Sequence, residues 1–274
     1  MAYKPNDNID DAKVQGYKDS AHSGVRLKSN KIPASVWNAN NEGYDYGSHA
    51  LNKNGKHQLA LQFIKEKKFI PENQYSHGDD CYYKKNWCHI EERGGHRYIR
   101  PSNCSKFVLK SGKKYFNQYN FQYAYHGTAT KNVASIYQNG LVPSGAKLPN
   151  GQRVNQAHGN MFGNGVYTTK IPLYAQLYAT PERWKNYYVQ TVFMVRQDPK
   201  SVWEKGCEGA KTRNMLGRDD FHVLYGGLVD SNEIQFLAKD HKSIVLQAIL
   251  VKIHDVDPRN GEYKDVVKIW DQMK

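Results

Sequence analysis

The sequence predicts an α+β fold with a mainly antiparallel sheet. Several short segments rich in Val, Ile, Tyr and Phe, residue types that favour strands, are separated by Gly, Pro and Asn. Few segments have the apolar spacing of a helix, and these do not alternate regularly with the strands. A parallel sheet needs such alternation, because crossovers between parallel strands usually contain a helix. The pattern therefore favours antiparallel strands with a few short helices.

The first half of the chain predicts one helix and one short strand. Residues Met1–Asn54 are polar and show no sustained period, so loops are expected there. His57–Phe69 has apolar residues among lysines and predicts an amphipathic helix. Phe107–Leu109 predicts a strand, and Lys110–Lys113, which contains Gly112, predicts a turn.

The second half begins with a strand and a helix. Phe121–Tyr125 alternates aromatic and other residues and predicts a strand that ends at His126. Thr130 is the expected cap of a helix that Gly140 terminates. The segment from Ser144 to Asn160 has little apolar content and predicts a long loop.

The remaining elements complete the predicted sheet. Gly165–Thr169 predicts a strand, and Pro172 is suited to the first turn of a helix that runs to about Ala179. Three further strands are predicted, at Val189–Val195, Glu233–Ala238 and Ile244–Ile253.

Length and composition set the general class of the protein. At 274 residues and 39% hydrophobic content, the chain fits a domain of about 150 residues with a smaller elaboration. We place the elaboration at 1–115 and the main domain at 116–274. No segment reaches the roughly 18–20 apolar residues of a membrane span. Four scattered cysteines do not suit a disulfide scaffold, so an intracellular setting, cytoplasm or nucleus, is expected. A formal charge of +13 favours acidic partners, including nucleic acid.

Three short strings lie in order at the edges of predicted strands. Tyr125-His126-Gly127-Thr128 ends one strand, and Asn232-Glu233 begins another. Between them lies Gly163-Asn164-Gly165-Val166-Tyr167, and Tyr178 follows Tyr167 by 11 residues. Each string alone is common. Together, with this spacing, they resemble the signatures of the poly(ADP-ribose)-polymerase-like, His-Tyr-Glu family of ADP-ribosyltransferases, across roughly Phe121 to Lys252.

The resemblance implies the ADP-ribosyltransferase fold, in which two packed, mainly antiparallel sheets hold NAD, as a substrate, in the cleft between them. By the same resemblance, His126 hydrogen-bonds the adenosine ribose. The backbone of Gly127 holds the nicotinamide amide, with Thr128 beside it.

The family's reaction explains the other implied residues. Breaking the bond between the ribose and the nicotinamide nitrogen creates a cation-like sugar, which a nearby carboxylate stabilises. The resemblance assigns that role to Glu233, which also orients the acceptor. Tyr167 and Tyr178 are implied to sandwich the nicotinamide ring, because aromatic rings bind flat ligands well. The predicted catalytic residues are therefore Glu233, His126 and Tyr167.

The sequence departs from the family at one binding position. The family often has a serine three residues before the second tyrosine, and this chain has Ala175 there. Thr168 or Thr169 is the expected replacement. Arg153 lies in the expected donor loop and is suited to the pyrophosphate of NAD.

The function implied is transfer of ADP-ribose to a protein or nucleic-acid acceptor, as mono-ADP-ribosylation because the loops are short. Ser231, two residues before Glu233, makes arginine a less suitable acceptor. Three other functions stay open: an NAD glycohydrolase, an RNA 2′-phosphotransferase, and a non-enzymatic module that binds ADP-ribose or nucleic acid.

Two further patterns lie in the N-terminal half. Cys81, Cys88, His96 and Cys104 are candidates for a zinc site, but they lack paired Cys-x-x-Cys spacing. Scattered structural cysteines are therefore the preferred interpretation, and zinc binding stays open. Basic and aromatic residues alternate in a composition typical of nucleic-acid surfaces. These residues are Lys84, Lys85, Arg93, Arg97 and Arg100 with Tyr82, Tyr83, Trp87 and Tyr98.

Overall fold

The computed structural model describes residues 44–46, 51–84, 90–93, 96–114, 121–154, 163–205, 235–238 and 240–260. The predicted strand start at Glu233 and the predicted loop residues before 44 lie outside these residues. Within the described ranges, no helix has the length and apolar character needed to cross a membrane.

Twelve strands and four α-helices are present in the described residues. The strands are β1 (Tyr44–Tyr46), β2 (Cys81–Tyr83), β3 (Ile90–Arg93), β4 (His96–Ile99), β5 (Cys104–Val108), β6 (Gln122–Thr128), β7 (Val166–Thr169), β8 (Glu182–Trp184), β9 (Tyr187–Gln197), β10 (Val202–Lys205), β11 (Gln235–Ala238) and β12 (Ile244–His254). The helices are α1 (Gly55–Lys67), α2 (Lys110–Lys114), α3 (Val133–Asn139) and α4 (Pro172–Leu177). Short 3-10 helices lie at Glu72–Gln74, His77–Asp79, Thr130–Asn132, Pro199–Ser201 and His241–Ser243.

Ten strands form one antiparallel ladder in the order β1-β2-β5-β12-β9-β6-β7-β11-β10, with β8 paired to β9. Strands β3 and β4 form a separate hairpin. The predicted α+β class with mainly antiparallel strands is confirmed. In place of the two sheets that the resemblance implied, the described strands of the main sheet form one connected ladder. The ladder narrows between β6 and β7, where a single residue pair, Tyr125 opposite Thr169, joins the two strands.

The long central strands are buried on both faces. On β9 and β12, Phe193 and Ile249 belong to the core cluster on the face that packs against α1. Their neighbours Met194 and Ala248 belong to a second cluster, which includes Ala175 of α4. Burial on both faces explains why these strands have nearly continuous apolar runs in the sequence instead of strict alternation.

Helix α1 covers one face of the sheet and contacts the β8–β9 hairpin. Phe63 is fully buried, and its ring meets Trp184 edge-to-face with centroids 5.4 Å apart. Replacing such a residue by Ala typically costs about 3–5 kcal/mol. Glu66 accepts hydrogen bonds from Trp184 Nε1 at 2.9 Å and from Lys185 Nζ at 2.7 Å. The helix confirms the prediction, beginning two residues earlier than expected and ending at Lys67.

The predicted turn at Lys110–Lys113 is wrong, because these residues form α2. Helix α2 packs on β12 where its pairing is irregular between Leu246 and Ala248. A Cβ on Gly112 would lie 2.7 Å from the Cα of Gln247, so only glycine allows this approach. The local sequence did not predict this helix, and its close contact with β12 is a long-range feature that a local pattern does not contain.

Two smaller predictions also need correction. Thr130 begins a 3-10 helix, and α3 starts at Val133 with no side-chain cap hydrogen bond. Gly140 ends α3 with φ of 76°, as predicted. The predicted loop after Ser144 contains a small hairpin in its described part, where Val154 N donates to Ala146 O at 2.9 Å.

Strands from both sides of residue 115 share the main sheet. Strand β5 pairs with β12, and β2 pairs with β5. The proposed division into 1–115 and 116–274 therefore describes two parts that pack together, and it stays a proposal.

Candidate functional site

His126 lies near the end of β6, beside the backbone of β7. Its Nδ1 lies 2.9 Å from the carbonyl oxygen of Tyr167. A carbonyl oxygen only accepts hydrogen bonds, so Nδ1 carries a proton and donates it. Nε2 is then the hydrogen-bond acceptor of the neutral ring. Burial lowers the pKa of His126, and the bond to the Tyr167 carbonyl raises it by a smaller amount. The ring is therefore neutral at pH 7.

Tyr167 is half-buried on β7. Its hydroxyl donates to the carbonyl oxygen of Gly163 at 2.8 Å, which fixes the side chain against the turn that precedes the strand. Gly163 has φ of 99°, a conformation that favours glycine. Gly165 lies under β11, since a Cβ there would meet the Ala238 carbonyl oxygen at 2.8 Å. The structure thus requires glycine at both positions of the Gly-x-Gly string, at Gly163 for its backbone conformation and at Gly165 for lack of space.

Helix α4 lies directly on Gly127. A Cβ on Gly127 would lie 1.7 Å from the carbonyl oxygen of Ala175, which is closer than any real contact. Ala175 is 1% exposed and belongs to the core cluster beneath the helix. The glycine of the His-Gly string therefore lets α4 approach β6 at the residue that follows His126.

Tyr178 ends α4 and is half-buried. Its hydroxyl lies 3.2 Å from that of Tyr174, and the two rings are tilted with centroids 5.6 Å apart. Tyr174 is 2% exposed and accepts a hydrogen bond from Gln235 Nε2. Gln235 begins β11 and pairs with Thr169 of β7. These contacts connect the second tyrosine with the strand that follows Glu233.

Three other predicted binding residues have partners inside the protein. Thr128 is 6% exposed, and its hydroxyl accepts from Asn132 Nδ2 at 3.2 Å. Thr168 Oγ1 donates to Gln197 Oε1 at 2.7 Å. Thr169 Oγ1 accepts from Ile171 N at 3.1 Å. Their contacts with NAD stay predictions.

Of the two remaining predicted residues, Arg153 lies in the described part of the chain and Glu233 does not. Arg153 is exposed, and its Nη1 donates to the carbonyl oxygen of Gly145 at 3.1 Å, across the small hairpin. Its contact with a pyrophosphate stays a prediction. Glu233 lies outside the described residues, two positions before Gln235.

Two cysteines of the cluster considered from the sequence lie in the described residues. Cys81 on β2 and Cys104 on β5 are both buried, and Cys88 lies outside the described residues. Burial raises the pKa of both thiols, that of Cys104 to about 12. Among the described residues, no group of three or more His, Cys, Asp or Glu side chains is arranged to hold a metal ion.

The predicted nucleic-acid surface is wrong for its described aromatic residues. Tyr82, Tyr83 and Tyr98 are 7%, 4% and 7% exposed, so their rings pack in the interior and cannot stack on bases. Arg100 is 8% exposed and pairs with Glu91 at 3.1 Å. The sequence pattern of alternating charge and aromatic residues reflects strands with buried rings.

Tyr174 and Gln190, which contact Tyr178 or its helix, were not predicted from the sequence. The spacing of Tyr174 and Tyr178, four residues apart, indicates neighbours on one helix face and was available as a signal. Gln190 of β9 donates to the carbonyl oxygens of Gln176 and Ala179 at 2.9 and 2.7 Å. No local pattern reveals that contact, because it joins distant parts of the chain.

Comparison with known proteins agrees with this geometry. A search of curated proteins finds no match. Residues 97–196 match the family described as poly(ADP-ribose) polymerase catalytic domain. The match runs from β4 to β9 and contains His126, Tyr167 and Tyr178. The matched part of the chain is thus similar to the catalytic domain of poly(ADP-ribose) polymerases, and this similarity supports NAD-dependent transfer of ADP-ribose in general.

Proposed function

We propose that the chain transfers a single ADP-ribose unit from NAD to a protein acceptor. The observation that carries the proposal is the hydrogen bond from His126 Nδ1 to the Tyr167 backbone. It joins the first two members of the family's His-Tyr-Glu set. In the proposed reaction, the bond from ribose C1 to nicotinamide breaks, and its electron pair leaves with the nicotinamide nitrogen. An acceptor oxygen or nitrogen then bonds to C1 and loses its proton.

The donor site would use the half-buried residues around α4. We assign His126 Nε2 the role of acceptor for an adenosine ribose hydroxyl, because Nδ1 is already committed to β7. The rings of Tyr167 and Tyr178 would bind the nicotinamide, and both are partly exposed, as a ligand contact requires. The backbone of Gly127 would hold the nicotinamide amide.

The proposed position of Glu233 follows from the register of β11. Gln235 is opposite Thr169 and Leu237 is opposite Tyr167, so these four side chains lie on one face of the β7–β11 pair. Side chains two residues apart in a strand share a face. If the strand extends back to Glu233, as the sequence predicts, its carboxylate lies on the face that carries Tyr167. There it would stabilise the cation-like ribose.

A protein acceptor is favoured over nucleic acid by the burial of Tyr82, Tyr83 and Tyr98, which leaves no stacking rings in the described part of the predicted surface. Transfer of a single unit is kept as the expectation from the sequence. An NAD glycohydrolase, with water as the acceptor, and an RNA 2′-phosphotransferase are the alternatives that the experiment must separate.

The test compares Glu233→Gln with wild type. We expect NAD affinity to change little and nicotinamide release to fall by on the order of 100-fold or more, since Gln keeps the shape and loses the charge. Glu72→Gln, at an exposed carboxylate of a 3-10 helix, is the control and should behave as wild type. A fall in turnover of less than about threefold would show that Glu233 has no catalytic role.

Mass spectrometry identifies the acceptor in the same reactions. An added mass of one ADP-ribose on protein supports the proposal. Nicotinamide release that yields only ADP-ribose in solution indicates the glycohydrolase. Loss of phosphate from a 2′-phosphorylated RNA, in the presence of NAD, indicates the phosphotransferase.

A further inference from the structure

Three side chains in contact, Gln235, Tyr174 and Tyr178, connect the beginning of β11 with the end of α4. Gln235 Nε2 lies 2.5 Å from Tyr174 Oη, and Tyr174 Oη lies 3.2 Å from Tyr178 Oη. Gln235 and Tyr174 are 6% and 2% exposed, whereas Tyr178 is half-buried. These contacts therefore run from the interior of the protein to a ring that reaches the surface.

The Tyr174 hydroxyl lies at the centre of these contacts. An amide nitrogen only donates, so the Tyr174 oxygen accepts from Gln235. A hydroxyl oxygen can accept a second hydrogen bond and can also donate one, so either tyrosine can supply the proton between Tyr174 and Tyr178. In both cases, the Tyr174 hydroxyl takes part in both hydrogen bonds.

We infer that Tyr174 and Gln235 are positioning residues, which hold the Tyr178 ring at a fixed place relative to β11. This inference rests on the proposed function, because it assumes that Tyr178 binds nicotinamide. Tyr178 follows the last residue of α4, where the helix no longer holds the side chain from both sides. Its neighbour Tyr174 is a fixed interior contact, and Gln235 ties that contact to β11. The Tyr178 ring would thereby keep a constant position relative to β11.

The first experiment removes one hydroxyl and retains its ring. Tyr174→Phe breaks both hydrogen bonds and keeps the packing against Tyr178. We expect the Kd for NAD, measured by calorimetric titration, to rise about 3- to 10-fold, the usual effect of one lost hydrogen bond. Tyr82→Phe is the matched control, since its buried ring also loses a hydroxyl bond, to Asn103 at 2.7 Å on the far strand β2.

The control separates positioning from general stability. Both Phe variants should lower the unfolding temperature by similar amounts, and only Tyr174→Phe should weaken NAD binding. Equal Kd values for wild type and Tyr174→Phe would overturn the inference. Gln235→Met, which has similar length and no donor, should weaken NAD binding in the same way, by about 3- to 10-fold.

The same substitution in a Tyr178→Phe protein tests whether Tyr174 changes the Kd for NAD through Tyr178. In a Tyr178→Phe protein, the hydroxyl that contacts Tyr174 is absent. Adding Tyr174→Phe to this protein should change the Kd by less than about twofold, because contacts that act through one residue are not additive. A full further increase would mean that Tyr174 acts on NAD by another route, and it would overturn the inference.

Failure of the inference can be told apart from failure of the proposed function. If wild type binds NAD and releases nicotinamide while Tyr174→Phe matches Tyr82→Phe, only the positioning role is wrong. If wild type neither binds NAD nor releases nicotinamide, the proposed function and the inference both fall.

Discussion

The side-chain amide of Gln190 on β9 donates a hydrogen bond to the carbonyl oxygen of Ala179 at 2.7 Å. The same nitrogen donates to the carbonyl oxygen of Gln176 at 2.9 Å. The two carbonyls flank Tyr178, at the end of a helix whose last carbonyls have no partner within the helix. His254 Nε2 lies 2.9 Å from Gln190 Oε1 and holds the amide in place. The last turn of α4 is therefore fixed by the central sheet.

Replacing Gln190 by Met should destabilise the protein and weaken NAD binding. Met has a similar length but no donor, so both carbonyls lose the Gln190 hydrogen bond, and the Gln176 carbonyl keeps the bond from Ala179 N at 3.0 Å. The expected cost is about 1–3 kcal/mol. Urea unfolding and NAD titration measure the two effects. Gln122→Met is the control, because Gln122 is equally buried, and its amide nitrogen has no partner in the described part of the chain. Unchanged NAD affinity in Gln190→Met would contradict a role for this contact at the site.

Replacing Gly127 by Ala should push α4 away from β6. The new methyl group would lie 1.7 Å from a backbone atom, which cannot rotate aside as a side chain can. We expect a loss of stability of about 1–3 kcal/mol or more and at least a tenfold loss of NAD affinity. Gly78→Ala is the control, because nothing lies within 4 Å of a Cβ there. A Gly127→Ala protein with wild-type stability would show that the helix is not in this contact.

The stability of the protein should fall below pH 7 in part through His126. Its pKa is lowered in the folded state, while the unfolded chain has the usual value of about 6.5. As the pH falls through that value, the unfolded state takes up the proton first, so folding becomes less favourable. His126→Gln keeps an N–H donor for the Tyr167 carbonyl and does not titrate. Between pH 7 and pH 5, wild type should therefore lose more unfolding free energy than the variant, and equal losses in denaturant titrations would contradict the lowered pKa.

Thr168→Val distinguishes a structural hydroxyl from a ligand contact. The hydroxyl is buried and donates to Gln197 at 2.7 Å, so its removal should cost about 1–3 kcal/mol of stability. If the hydroxyl also replaces the family's serine at nicotinamide, NAD affinity should fall as well. The two quantities, measured on one preparation, decide between these roles.

The sequence predicted the elements whose signals are local. Pro172 begins α4 and Gly140 ends α3, because each residue's backbone preference is the same in any context. The continuous apolar runs of β9 and β12 predicted the central strands. Three-residue strands such as β1 and β2 were not predicted, since they are too short for an alternating pattern.

The sequence predicted the candidate site by motif and missed its supporting contacts. His126, Tyr167 and Tyr178 were predicted because their spacing along the chain matches a family pattern. Gln190 supports the end of α4 from 11 and 14 residues away, and Gln235 reaches Tyr174 from 61 residues away. Such contacts depend on the order of strands in the sheet. That order is a tertiary property, which residue patterns alone do not encode.

The single pair between Tyr125 and Thr169 makes the β6–β7 junction the narrowest part of the ladder. Tyr167 lies on one side of this junction and His126 on the other. A molecule that contacts both residues would link the strands on the β6 side of the ladder to β7, β11 and β10 by non-covalent contacts. By mass action, such a molecule raises the free energy of unfolding by RT ln(1 + [L]/Kd), and it does so at a junction that a single residue pair forms in the described part of the chain. The free energy of unfolding would then rise with the concentration of NAD.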